Sequence, residues 1–169
     1  MQQFDIVKGK SATDMRMTID AMDLLYRGSV DGELFEARLR QARDWFFKNY
    51  FVENIEDAMK IAAPGTESGT FVMMVASYWE QACALLNYGL LHEDLFFETS
   101  GEFFGVWELL KPVVPQFRKQ FKDPNMLANL EKAAKRFEEW SERRAPGHIA
   151  TMRQFMQQMR SKAASAAKG

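Results

Sequence analysis

Residues 70–88 read TFVMMVASYWEQACALLNY, and this stretch decides the fold. Phe71, Val72, Met74, Val75, Tyr78, Trp79, Ala82, Leu85 and Leu86 place apolar side chains almost all round a helix. A helix with no polar half has to be enclosed by other helices, so the segment is expected at the centre of a bundle. Its only hydrophilic stripe is Ser77, Glu80 and Asn87, with Ala84 between them and Gln81 beside them. Glu80 is the sole charge between Thr70 and Leu91. Two readings of it stand side by side: the stripe faces water, or Glu80 turns inward and pairs with Arg118 of a later helix. A buried pair adds little net stability, yet losing one partner costs about 3–5 kcal/mol. A rival functional reading makes Glu80, Asn87, Trp107 and Arg118 the walls of a polar pocket for a small ligand or an enzymatic reaction.

Helical periodicity continues on both sides. Downstream, Gly89 ends the central helix, and Glu93 or Asp94 opens a short turn carrying Phe96 and Phe97. Ser100 is expected to cap a long helix over residues 100–122, with Phe103, Trp107, Leu110, Val114, Phe117 and Phe121 on its apolar side. Pro112 should kink or restart it. Five acids and no base occupy residues 91–110, and bases without acids follow, a split that suits the helix dipole. Asp123-Pro124 reads as a helix start, followed by a buried face of Leu127, Leu130, Ala134 and Phe137. Upstream, Asp31 caps a helix with the stripe Phe35, Leu39, Ala42, Phe46 and Tyr50. A short helix with Ile55, Met59 and Ala62 comes next, and Pro64 to Gly69 is the most flexible internal loop. A first helix is expected from Ser11 or Thr13 to Gly28, with Met15, Ile19, Met22 and Tyr26 on one face.

These elements predict an all-α, single-domain helical bundle of six to seven helices over residues 11–144. Residues 1–10 are expected to be flexible, and 145–169 to form a C-terminal amphipathic helix with a frayed tail. In that last segment Ile149, Met152, Met156 and Met159 keep helical register.

The 169 residues are 47% apolar and 27% charged, enough for a globular core. Twenty-two basic against twenty-three acidic side chains leave a net charge of −1, which supplies no pull toward nucleic acid. Arg38, Arg40, Arg43 and Lys48 are the best nucleic-acid contact on offer, and they are few. The lone cysteine, Cys83, excludes an intramolecular disulfide and points to a reducing, cytoplasmic setting. No signal peptide or membrane span is legible.

Short motifs resolve to modest roles. Gly9-Lys10-Ser11 resembles the end of a phosphate loop, but Phe4 stands where another glycine is required. His92-Glu93-Asp94 offers metal-ligand types, although neighbours at a helix start diverge, and helix capping suits them better. Pro112-Val113-Val114-Pro115 fits a PxxP string, yet its apolar flanks favour a kinked helix. No catalytic, cofactor-binding or metal-ligating set emerges. With 22 aromatics and 11 methionines but no convergent polar chemistry, the chain reads as a module that binds a protein partner or copies of itself.

Tyr78-Trp79-Glu80, then Leu85-Leu86-Asn87-Tyr88-Gly89-Leu90-Leu91-His92-Glu93-Asp94-Leu95, resembles the centre of a bacterial family, the domain of unknown function 4760. The following Phe103 to Arg118, with Trp107 and Pro112, looks like that family's next helix. The resemblance covers about residues 15–140. It implies an all-helical domain with Glu80 and Arg118 as a recurrent polar pair, and it implies no activity.

Overall fold

Thr66 starts the central helix by accepting a hydrogen bond from the Gly69 amide at 3.0 Å. The computed structural model describes residues 32–166, and among them are eight helices and no strand. They are α1 (Gly32–Asn49), α2 (Ile55–Ile61), α3 (Glu67–Asn87), α4 (Glu93–Thr99), α5 (Glu102–Leu110), α6 (Val114–Phe121), α7 (Ala128–Arg144) and α8 (His148–Ala166). The all-α bundle read from the periodicity is therefore what forms. The expected helix over residues 13–28, the Asp31 cap, and the side chains of Phe35 and Glu36 lie outside the described residues.

The central helix, α3, buries Phe71, Val75, Ala76, Trp79, Ala82, Cys83 and Leu86. It packs on α1 and α7 most extensively and on α5 next. The expected neighbours were α1 and the 100–122 segment, so α7 takes a place assigned to another helix. From α1 come Leu39, Ala42 and Phe46, and Tyr50 follows directly after it, all buried as their spacing predicts. Trp45, near the end of α1, meets Phe71, near the start of α3, with ring centroids 6.0 Å apart. At the far end of α3, Gly89 adopts φ +72°, which only glycine enters without steric cost. Its amide bonds to Leu86 O and that of Leu90 to Leu85 O, closing the last turn.

Three boundaries differ from expectation. The central helix begins at Glu67, three residues early, because Thr66 provides the cap and shortens the Pro64–Gly69 loop. The 100–122 segment divides into α5 and α6 at Pro112, as expected, because proline has no amide to continue the ladder. Ser100 ends α4 rather than capping α5. Finally, α7 begins at Ala128, not at Asp123-Pro124. Asp123 Oδ1 accepts from the Asn125 amide at 2.9 Å, so that signal builds a turn before the helix.

An aromatic cluster joins the second half of the chain. Phe103 of α5 and Phe137 of α7 approach to 5.3 Å, with Phe96, Phe97 and Phe104 within 5.4 Å of one or the other. The last helix, α8, docks through buried Ile149 and half-buried Met152 and Met156. It stays helical to Ala166, beyond Ser161 where the composition suggests fraying.

A Cβ on Gly69 would drive into the Ala63 carbonyl, standing 3.0 Å from its carbon and closer still to its oxygen. Backbone on both sides leaves little room to yield. Gly69→Ala should therefore lower stability by about 1–3 kcal/mol, measured by urea unfolding followed by circular dichroism. An unchanged midpoint would show that the turn before α3 is not tightly closed.

Candidate functional site

The helix α7 starts without a cap of its own. Its N-cap residue, Leu127, sits at φ +55°, a left-handed conformation uncommon outside glycine, and makes no side-chain cap bond. The first amides of such a helix need acceptors from elsewhere. Glu80, midway along α3, supplies them. Its Oε1 accepts from the Asn129 amide at 3.1 Å, and its Oε2 accepts from the Leu130 amide at 2.8 Å. These are the second and third residues of the helix, the pair a local Ser or Asp cap would serve. The negative charge also lies at the positive end of the α7 dipole.

Further bonds extend from this cap. Asn129 Nδ2 donates to Glu80 Oε1 at 2.9 Å, while Asn129 Oδ1 accepts from Asn87 Nδ2 at 3.0 Å. Asn87 Oδ1 in turn accepts from Arg136 Nη2 at 2.9 Å, and Arg136 Nη1 lies 2.8 Å from Glu93 Oε2. The chain Glu80–Asn129–Asn87–Arg136–Glu93 thus ties α3, α7 and α4 together.

Arg118 reaches the same helix start from α6. Its Nε donates to Met126 O at 3.0 Å, and its Nη2 lies 2.8 Å from Glu131 Oε2. Of the two readings of Glu80, the inward one describes its position but with other partners: the carboxylate is taken by the α7 amides, and Arg118 by Met126 O and Glu131. The water-facing reading fails for Glu80 and Asn87, which are half-buried, and holds for Ser77, which is exposed. Trp107 packs against the core. Of the four residues singled out in the sequence, three converge on the first turns of α7, where they meet helix backbone and side chains.

Other acids tie helices in the same way. Glu102 accepts from Trp79 Nε1 at 3.1 Å and from Arg43 Nε at 2.7 Å, joining α5 to α3 and α1. Glu108, with 8% of its side chain exposed, pairs with Lys111 at 2.6 Å and Arg153 at 3.1 Å. Arg153 also holds Glu138 at 2.9 Å, so one guanidinium fastens α8 to α5 and α7. Burial pushes the Glu108 carboxyl up, but hydrogen bonds from Arg153 and Lys111 outweigh it and hold the group below its ordinary value. Lys135 and Arg118 lower Glu131, and the Gly147 and Ile149 amides lower Glu142, which caps α8.

A cleft of about 280 Å³ lies beside this second cluster, between Phe51, Leu109, Lys111, Met156 and Arg160. It was not expected from the sequence, and it stands apart from Glu80 and Asn87. Asn129, Glu108 and Arg153 were missed as well. A charge inside an apolar helical face, as at Glu108 and Arg153, was the available signal. His92 caps α4 through its Nδ1, 3.3 Å from the Leu95 nitrogen. Glu93 and Asp94 turn to Arg136 and Trp140. Burial, with Glu80 adding to it, pushes the Cys83 thiol well up, so it stays protonated.

What the fold and these bonds define is an all-helical domain whose interior polar groups hold helices in place. The chain belongs to the family described as a domain of unknown function, DUF4760, whose model matches residues 24–137. No curated protein and no solved structure matches it. Among the described residues, no helix is long and apolar enough to cross a membrane.

Glu80→Ala should cost about 2–3 kcal/mol, since two helix amides lose their acceptor. Glu80→Gln, which keeps one oxygen, should cost less. In a double-mutant cycle Glu80 should couple to Asn129 and show almost no coupling to Arg118, read from urea midpoints; strong coupling to Arg118 would restore the direct pair.

Acid titration offers a second check. Glu108, Glu131 and Glu142 have folded values below their unfolded ones, so their contribution is complete above about pH 4.5. It is lost as pH falls through the folded values. Unfolding free energy should therefore decline below that pH, and Glu108→Gln should make the decline shallower. An identical acid limb in the variant would count against the Arg153–Glu108 latch.

Proposed function

We propose that the chain is a non-enzymatic helical module whose work is association, with a protein partner or with copies of itself, in the cytoplasm. One observation carries this reading. The acids that reach the interior are engaged by helix amides or bases, while large apolar side chains stand in water: Met73 at 66%, Tyr88 at 80%, Leu95 at 51%, Phe121 at 56% and Phe155 at 61% exposure. Large exposed apolar side chains support contact with another macromolecule where they gather into a patch. A buried, protonated cysteine fits the reducing setting.

Native mass spectrometry of the freshly purified protein tests the proposal, because one spectrum reports both subunit number and any retained molecule. A dimer, or a second polypeptide held with the chain, is expected. A monomer carrying a small molecule would overturn the proposal in favour of a ligand receptor.

A further inference from the structure

The central helix reaches the surface along one side. Met73, Ser77, Gln81, Ala84 and Tyr88 follow one another at spacings of three and four, so they share a face. Met73, Ser77, Gln81 and Tyr88 are exposed, and Ala84 is partly so. No charge lies on this face. The one acid beside it, Glu80, is bound to the Asn129 and Leu130 amides of α7. Surface helices ordinarily carry charges on their outer side, and this one carries its two largest apolar groups at the ends and small or neutral groups between.

That order is the same read from either end. Bulky Met73 and bulky Tyr88 stand equally far from the midpoint at Glu80–Gln81, and Ser77 and Ala84 do the same inside them. A two-fold axis through the midpoint would set Met73 of one copy against Tyr88 of the other, and Ser77 against Ala84. Isologous interfaces require this self-complementarity. The small pair lets the helices approach closely, and with Glu80 engaged elsewhere no like charges oppose each other across the axis. The geometry points to this face of α3 as an antiparallel self-association surface whose occupant is a second copy of the chain. The inference rests on the association reading above and names its surface and partner.

The size of the face sets the strength. From Met73 to Tyr88 the helix runs about 22 Å, and pairing two such stretches buries on the order of 900 Å² over both copies. This is small beside the roughly 1,600 Å² of a standard stable interface. A weak, rapidly exchanging dimer follows.

The full chain is examined by sedimentation velocity across a concentration series, and three variants, Gln81→Cys, Met73→Cys and Tyr88→Cys, are treated with a short bismaleimide. Cys83 is buried, so the introduced thiol is the one that reacts. Gln81→Cys should cross-link to a dimer. Met73→Cys alone should not, because its two copies stand about 22 Å apart. An equimolar mixture of Met73→Cys and Tyr88→Cys should cross-link again. Tyr88→Lys should weaken the dimer at least about tenfold while leaving the urea midpoint unchanged.

Self-association without the Gln81 cross-link, or with Met73→Cys linking to itself, overturns this surface and leaves the association reading standing. A monomer at every concentration in which Met73→Cys resists maleimide shows the face covered within its own chain, and also overturns it. A monomer with the thiol reactive removes both this surface and self-association.

Discussion

The carboxylate of Glu80 meeting the first amides of α7 is the contact on which the arrangement of the bundle depends. It resolves two liabilities together. A charge midway along an apolar helix is costly unless its oxygens find donors. A helix entered through a left-handed leucine leaves amides without acceptors. Each liability is the remedy for the other, and the remedy works only when α3 and α7 lie in one register. Once α7 is placed, Phe137 enters the aromatic cluster, Arg136 reaches Asn87 and Glu93, and Glu138 is presented to Arg153. Anchoring of α8 is therefore downstream of the cap, through α7.

The distribution of charge follows the same logic. Acids gathered over residues 91–110 read, in sequence, as compensation for helix dipoles. In the fold most of them face bases on other helices: Glu93 to Arg136, Glu98 to Arg144, Glu102 to Arg43 and Glu108 to Arg153. Exposed pairs of this kind contribute little individually. Glu108 is the exception, because its burial makes an unpaired carboxylate there costly and its two bases correspondingly important. A short α5 thus carries acids on two faces, one toward α1 and α3 and one toward α8.

What could be read from the chain is what local spacing encodes. The stripe Leu39, Ala42, Phe46 and Tyr50 is periodic, and it is buried. Gly89 and Pro112 act through their own backbone chemistry, so their effect on helix ends was legible before any packing was known. Glu80 could be recognised as singular, being the one charge in an apolar run, but its partners lie about fifty positions away in chain order. Nothing in the spacing near residue 80 says that α7 will lack a cap. The Asp123-Pro124 signal was misread for a related reason: a strong local start motif closes a turn, while the helix that follows is started by a tertiary contact. Arg118 bonds at the same end of α7 that Glu80 serves, but to Met126 O and Glu131, because residue type alone cannot tell a carboxylate that wants a base from one already held by amides.

The apolar circumference of α3 exceeds what its neighbours cover. Among the described residues α1, α5 and α7 are its main contacts, and they leave Met73 and Tyr88 in water. A helix in that position can meet water in two ways: carry charge outward, or carry small and neutral groups that hydrate tolerably and still pack. Ser77, Gln81 and Ala84 follow the second course. The neutral course leaves this side of α3 without charge, and that is the feature on which the proposed association draws.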